Sequence, residues 1–204
     1  MPSRIIDAKT VDALRRVYTD LADFIHQHEL EQVIAVGPSA YPHIHAISRA
    51  YKNRHSRDLK VYSLGELGEK LSGSEFLGKR SEALALLKRH RPTLDPARRT
   101  LLFDETTFSG RTLANLKALF EKPGAVCKTA TLHSRGAINF KSADFSSLND
   151  ALFNNGVRVH RGIRVKAIRV TKKLSPEVHS HWPAFMVQLH SELREIADSV
   201  PRKE

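Results

Sequence analysis

The stretch 100–113 reads TLLFDETTFSGRTL, and the rest of the chain is organised around it. Its apolar run, 101–103, predicts a buried strand. Two acids, Asp104 and Glu105, follow at once. The next segment, 106–112, is small and rich in hydroxyl groups, and it predicts a turn that leads into an amphipathic helix. A strand, an acidic tip, a loop and a helix start therefore follow one another.

The residues of this stretch indicate which chemical groups it would bind. The N-terminus of a helix carries unpaired backbone N–H groups and a partial positive charge, which bind anions and phosphate above all. Gly110 permits a positive φ, Ser109 and Thr112 add hydroxyl donors, and Arg111 adds a cation. The two carboxylates suit the vicinal hydroxyls of a sugar or a hydrated Mg²⁺. The stretch predicts a ligand that carries a phosphate and a ribose diol.

The stretch 100–112 resembles the phosphoribosyl-pyrophosphate (PRPP) binding motif of the type I phosphoribosyltransferases. The acid pair, Ser109, Gly110 and Thr112 all fall in register with that motif. The resemblance implies a PRPP-dependent pentosyltransferase that uses Mg²⁺. It implies that Asp104 and Glu105 are the catalytic pair, which holds the ribose hydroxyls and the metal, directly or through water. The loop that would bind the 5′-phosphate consists of Thr106, Thr107, Phe108, Ser109, Gly110, Arg111 and Thr112.

A second loop occupies the place of the family's pyrophosphate loop. The run 32–36 (QVIAV) predicts a short buried strand, and it ends in the segment 37–42 (GPSAYP). The candidate contacts are Gly37, Pro38, Ser39 and Ala40. The family often has glycines where Ser39 and Ala40 stand, and the loop contains no Lys or Arg. A proline-rich turn with no ligand fits the same residues.

Strands alternate with helices along the chain, which predicts an α/β fold with a mainly parallel central sheet flanked by helices. The other predicted elements are strands at 58–64 and 125–133 and helices at 7–28, 43–52, 81–90 and 184–200. The resemblance implies one phosphoribosyltransferase-like domain over 1–204, with its core at about 30–172. Ligands of such sheets bind beyond the carboxyl ends of the strands, where both candidate loops fall.

The segment 65–80 contains four glycines, and we predict a loop there because so many glycines destabilise a helix. The resemblance implies a small hood or lid at about this point of the chain. Lys70, Lys79 and Arg80 would then reach the pyrophosphate when the lid closes and excludes water. A passive surface loop is the alternative interpretation.

The net charge of +11 favours a polyanionic partner, either a small molecule or nucleic acid, although a solvated basic surface would give the same value. Alternating basic residues at 158–173 would form either a protected sheet edge or a strand that meets nucleic acid or the anionic substrate. The single cysteine, Cys127, fits a reducing compartment, and no apolar run is long enough to span a bilayer. We therefore expect a cytoplasmic protein with no membrane partner, and a homodimer, which is common in the resembled family.

One exclusion and two alternatives qualify the function. Phe108 stands where 6-oxopurine-specific members of the family carry an acid, which disfavours a hypoxanthine or guanine enzyme. Some members of the fold bind PRPP only to regulate their binding of nucleic acid, and the charge of this chain favours that first alternative. An unrelated phosphate-binding module is the second alternative. The nearby pair His43 and His45 lies two apart on a predicted helix, which predicts ordinary helix residues instead of a metal site.

Overall fold

The structure, a computed structural model, describes residues 6, 8–37, 40–76, 78–107, 110–121, 125–134, 143–148 and 176–203. The strands are β1 Gln32–Ala35, β2 Lys60–Ser63, β3 Thr100–Thr107, β4 Cys127–Ser134 and β5 Phe145–Leu148. The helices are α1 Ala8–Gln27, α2 Tyr41–His55, α3 Glu66–Ser72, α4 Arg80–His90, α5 Arg111–Phe120 and α6 Pro176–Asp198, with a 3-10 turn at Ser74–Phe76.

All five strands form one parallel sheet in the order β2-β1-β3-β4-β5. The predicted α/β class and parallel sheet are thereby confirmed. β1 and β3 are direct neighbours, and Ala35 of β1 pairs with Phe103 of β3. Because the strands are parallel, their carboxyl ends share one edge of the sheet, which we call the carboxyl edge. The chain leaves β1 beside the acid pair of β3, and β3 continues to Thr107 before the second candidate loop begins.

The sheet is covered on both faces, and β3 shows why. Successive side chains of a strand point to opposite faces. Leu101 and Phe103 are fully buried in the apolar core beneath α1, α2 and α6. Leu102 is equally buried in a second core beneath α3, α4 and α5. A run of consecutive apolar residues is therefore what a central parallel strand requires.

Helix α6 closes the first face from outside. It packs against α2 and α1, and the backbone N–H of Ile6 donates to the Glu192 carboxylate over 2.8 Å. Arg49 of α2 forms a forked ion pair with Asp198 near the end of α6. In the part of the chain that the structure describes, no helix is long and apolar enough to cross a membrane.

Several sequence predictions need correction. The glycine-rich segment 65–80 is not a loop, because it contains α3 and a 3-10 turn. Gly65 and Gly73 lie at the ends of α3, and Gly68 lies where the helix touches Val36, so tertiary packing outweighs the low helix propensity. Gly78 lies outside the helix, before α4. The predicted turn at 106–112 starts late, since Thr106 and Thr107 continue β3 and pair with β4. Strand β5 was not predicted, and the predicted basic strands at 158–173 lie outside the described residues.

Candidate functional site

The loop that follows β1 starts directly beside β3. The N–H of Val36 donates to the carbonyl oxygen of Phe103 over 2.9 Å, which holds β1 against β3 up to the carboxyl end of β1. The chain turns at Gly37, whose carbonyl oxygen accepts from the N–H of Ala40 over 3.2 Å. Ala40 is fully buried at the entry to α2. Pro38 and Ser39 of the predicted pyrophosphate loop lie outside the described residues.

The two acids leave β3 on opposite faces of the sheet. Asp104 is half-buried and follows the alternation of Leu102, so it faces the α5 side. Glu105 follows Phe103 and is 1% exposed on the α1 and α2 side. Its carbonyl oxygen accepts a hydrogen bond from the Thr131 hydroxyl of β4 over 3.2 Å. The pair therefore reaches two sides of the carboxyl edge and does not form one chelating group.

The donor set at this edge fits a hydrated Mg²⁺. Mg²⁺ usually keeps several waters and binds through one or two carboxylates together with substrate oxygens. Asp104, the more exposed of the two acids, is placed to supply one such oxygen at the loop. Among the described residues, no three His, Cys, Asp or Glu side chains come together as a metal site. A metal here would depend on one protein carboxylate, water and substrate.

Gly110 makes the turn from the loop into α5. Its φ of 63° and ψ of −2° lie in the left-handed region that favours glycine. The first intrahelical bond of α5 runs from the N–H of Ala114 to the carbonyl oxygen of Gly110 over 2.9 Å. The preceding N–H groups of the helix therefore point out at the carboxyl edge. Arg111 is exposed and Thr112 is half-buried there, whereas Phe108 and Ser109 lie outside the described residues.

Helix α3 is packed against the residue that directly precedes the first loop. A Cβ atom added to Gly68 would lie less than 3.0 Å from the carbonyl oxygen of Val36, closer than real Cβ atoms come to other atoms. The preceding Gly65 has a φ of 56°, which brings the chain from β2 into the helix. The segment predicted as a lid therefore contacts the end of β1, next to the candidate loop.

The structure does not bring all of the predicted lid cations to the edge. Arg80 donates through Nε to the carbonyl oxygen of Leu119 over 3.0 Å, at the C-terminal end of α5. The helix start that would bind phosphate is about 12 Å away along that helix. Nζ of Lys79 lies 4.0 Å from Oε2 of Glu82, and Lys70 is exposed near the end of α3. Arg80 stabilises the far end of α5 in this conformation.

A buried polar pair that sequence reasoning missed lies beneath the acids. The Tyr18 hydroxyl of α1 is 2.7 Å from Nδ1 of His43 in the first turn of α2. The His43 ring also packs near the ring of Phe103, with centroids 6.3 Å apart. In the sequence, Tyr18 belongs to the apolar face of the predicted helix α1. The one available signal was its hydroxyl group, which needs a hydrogen-bond partner when the side chain is buried.

His45 turns away from His43, as the helical spacing predicts. Its ring lies near those of Tyr41 and His190, with centroids 4.9 Å and 6.4 Å apart. Burial, and then the nearby charge of Arg194, lower the pKa of His45 below its ordinary value. Burial also lowers the pKa of His190, together with the charges of His45 and Arg194. These neutral rings help to join α2 to α6.

Comparison with known proteins adds no family to this geometry. No protein-family model matches the chain, and no curated protein matches it at a significant level.

Proposed function

We propose that the protein is a phosphoribosyltransferase that transfers the 5-phosphoribosyl group of PRPP to a nitrogenous base or a related acceptor and releases pyrophosphate. One observation carries the proposal. The chain leaves β1 beside the acid pair of the neighbouring strand β3, and β3 then leads to a helix start through a left-handed Gly110. A phosphate and a ribose diol on one ligand match that order of groups.

Each part of the site has a role in the proposed reaction. The exposed N–H groups at the start of α5, with Thr112, would hold the 5′-phosphate. Asp104 would hold the ribose hydroxyls. The buried negative charge of Glu105 would help to stabilise the positive charge that develops on the ring as the bond from C1 to pyrophosphate breaks. Mg²⁺ would neutralise charge on the pyrophosphate. The nitrogen of the acceptor then forms the new bond at C1, and the site contributes mainly by positioning the reactants.

The test is calorimetric titration of PRPP with Mg²⁺ into the wild type and into an Asp104→Asn/Glu105→Gln variant. We expect the double change to weaken binding by at least about 30-fold, or ~2 kcal/mol, because it removes the charged acceptor of Asp104 and the neighbouring negative charge of Glu105. A matched control, Asp12→Asn/Glu121→Gln, changes two exposed acids on α1 and after α5 and should bind like the wild type. Binding that survives the site variant would favour an unrelated phosphate-binding module.

A screen of candidate acceptors after the titration distinguishes catalysis from simple binding. Pyrophosphate release is measured for each base in the presence of PRPP and Mg²⁺. Release with one base or related nitrogen compound would identify the acceptor class. PRPP binding without release for any acceptor would favour a PRPP-responsive regulator.

A specific observation favours that second function. Arg57, Lys60, Lys88 and Arg89 are exposed, and none of them joins an ion pair with the described residues. The end of α4 is held on edge strand β2, where Arg91 donates to the carbonyl oxygen of Ser63 over 2.7 Å. The distance from Ser63 back to Lys60 is about 10 Å along the strand. Two of these cations lie on or before edge strand β2 and two lie near the end of α4, and this set, which we call the basic edge, would suit a phosphate backbone.

The basic edge is tested by fluorescence anisotropy with a labelled single-stranded RNA over a series of KCl concentrations. If Lys88 and Arg89 contact phosphates, the Lys88→Glu/Arg89→Glu variant should lower the slope of log K against log[salt] by about 1.4 for a single strand. The control Arg16→Glu/Arg202→Glu reverses the same number of exposed charges elsewhere. An equal effect of both variants would indicate nonspecific attraction. A change in affinity on addition of PRPP would support the regulator.

A further inference from the structure

Three polar side chains from three different elements are buried together beneath the carboxyl edge. Tyr18 of α1 is 0% exposed, His43 of α2 is 2% exposed and Glu105 of β3 is 1% exposed. Burial of polar groups is costly unless they interact with one another, and apolar residues would fill the same space more simply. A polar group of this kind in a core is therefore a candidate for a role beyond packing.

The hydrogen bond of the group joins two helices at a defined place. The Tyr18 hydroxyl and His43 Nδ1 are 2.7 Å apart, and their rings meet edge to face with centroids 6.3 Å apart. His43 is the third residue of α2, so it lies within one helical turn of Ala40 in the candidate pyrophosphate loop. Its ring also packs near Phe103, which is two residues before Glu105 on β3.

The charges of the group are consistent with a phenol that keeps its proton. Burial, and then the negative charge of Glu105, raise the pKa of Tyr18 far above its ordinary value. A protonated Tyr18 can donate to Nδ1 of a neutral His43, which leaves the proton of the imidazole on Nε2. This arrangement fixes the tautomer and the orientation of the His43 ring.

We propose that Tyr18 and His43 are positioning residues, whose hydrogen bond holds the start of α2, at Ala40 and Tyr41, in place relative to the acid pair of β3. The inference rests on the proposed function, because the start of α2 and the acid pair lie on either side of the candidate PRPP site. Neither Tyr18 nor His43 is assigned a direct contact with substrate. The link acts by keeping the start of α2 at one distance from β3.

The test compares Tyr18→Phe with Tyr51→Phe. Both tyrosines are buried, but Tyr51 lies eight residues further along α2, where its ring is near His55. Hydrogen exchange of the amides in 37–44 is measured first, without ligand, and the affinity for PRPP with Mg²⁺ is measured second. We expect Tyr18→Phe to speed exchange in this segment and to weaken PRPP binding about tenfold, because a small misplacement of a binding group is costly. Tyr51→Phe should change neither quantity.

A second pair of variants separates the hydrogen bond from general damage to the core. His43→Asn keeps a polar atom near the position of Nδ1, whereas His43→Leu does not. The His43→Asn variant should therefore exchange more slowly in this segment and bind PRPP more tightly than the His43→Leu variant. Equal exchange in the Tyr18 and Tyr51 variants would overturn the link. Faster exchange with unchanged PRPP affinity would overturn its role in positioning the site. If the wild type binds no PRPP, the proposed function fails, while the exchange comparison still decides whether the link holds the start of α2.

Discussion

Replacement of Gly68 by alanine tests how firmly α3 rests on the end of β1. The added Cβ would lie less than 3.0 Å from the Val36 carbonyl oxygen, and 3.3 Å from Cβ of Leu64. Ordinary contacts between such atoms are about 3.5–4.0 Å, so the helix and the strand must separate by at least about 0.5 Å. The obstructing atom belongs to the backbone of a central strand, and it cannot rotate away as the end of a flexible side chain can.

The expected cost follows from this geometry. Overpacking of a filled core costs about 1–3 kcal/mol, and the fixed backbone places Gly68→Ala near the upper value of ~3 kcal/mol. For a chain of this size, each kcal/mol lowers the melting temperature by about 2–4 °C, so the variant should melt about 6–12 °C below the wild type. Because Val36 precedes Gly37, the variant should also weaken PRPP binding if the proposed loop contacts the ligand.

Thermal unfolding followed by circular dichroism measures the first effect, and calorimetry measures the second. The control is Gly73→Ala at the end of the same helix, where the nearest atom is the Lys70 carbonyl oxygen at 3.1 Å. Its expected loss is smaller, because this contact is less severe. A Gly68→Ala protein that melts within 2 °C of the wild type (roughly one kcal/mol or less) would refute the close contact between α3 and Val36.

Three further predictions concern stability. Gly110→Ala should lower the free energy of unfolding by about 1–2 kcal/mol, because alanine resists the left-handed conformation, whereas Gly110→Asn should lose less; equal losses in urea denaturation would contradict this cause. Asp144→Asn should cost about 2 kcal/mol in the same assay, because the Asp144 carboxylate accepts from the Lys117 ammonium over 3.0 Å and holds β5 near β4; an unchanged urea midpoint would refute it. The third prediction is pH-dependent. Burial and the stacked ring of His26, with centroids 4.2 Å apart, lower the pKa of His55, so the unfolded state binds more protons than the folded state. The His55 contribution to stability is therefore present above about pH 6.5 and is lost as the pH falls below it. His55→Gln should reduce the slope of unfolding free energy against pH between 7 and 5, and an unchanged slope would count against this histidine.

Elements with a strong periodic pattern could be predicted from the sequence. The helix expected at 7–28 is observed as α1, and the apolar run 101–103 is part of β3 at the centre of the sheet. In both cases one local signal, either spacing or an unbroken apolar run, agrees with the way the element is buried. The alternation of such signals was sufficient for the parallel α/β sheet.

The failures have a different cause. Helix α3 contains Gly68 at a point where only a residue without a side chain fits against Val36, so a glycine that weakens the isolated helix is needed by its packing. Strand β5 spans only Phe145–Leu148 at the edge of the sheet, and its place depends on Asp144 and on β4. Contacts with distant parts of the chain stabilise both α3 and β5, and these contacts cannot be predicted from a local sequence pattern.

The placement of the residues after β1 beside the acid pair was predictable, but the contacts that support them were not. Asp104 and Glu105 directly follow the apolar run of β3, and the parallel pairing of β1 with β3 places them beside the residues that follow β1. The hydrogen bond between Tyr18 and His43 joins residues 25 positions apart, and each of them fits an ordinary helix pattern. Whether the edge binds PRPP stays a prediction for the titrations to decide.

The sheet order also determines when this edge can form as the chain is made. Pairing of β1 with β3 brings together Gln32 and Thr100, which are 68 positions apart, and parallel pairings of this range form slowly. The outer helix α6 then covers α1 and α2 with contacts such as that between Ile6 and Glu192, which are 186 positions apart. A nascent chain that ends before α6 leaves apolar surface of α1 and α2 exposed. We expect such a chain to need protection from aggregation until α6 leaves the ribosome.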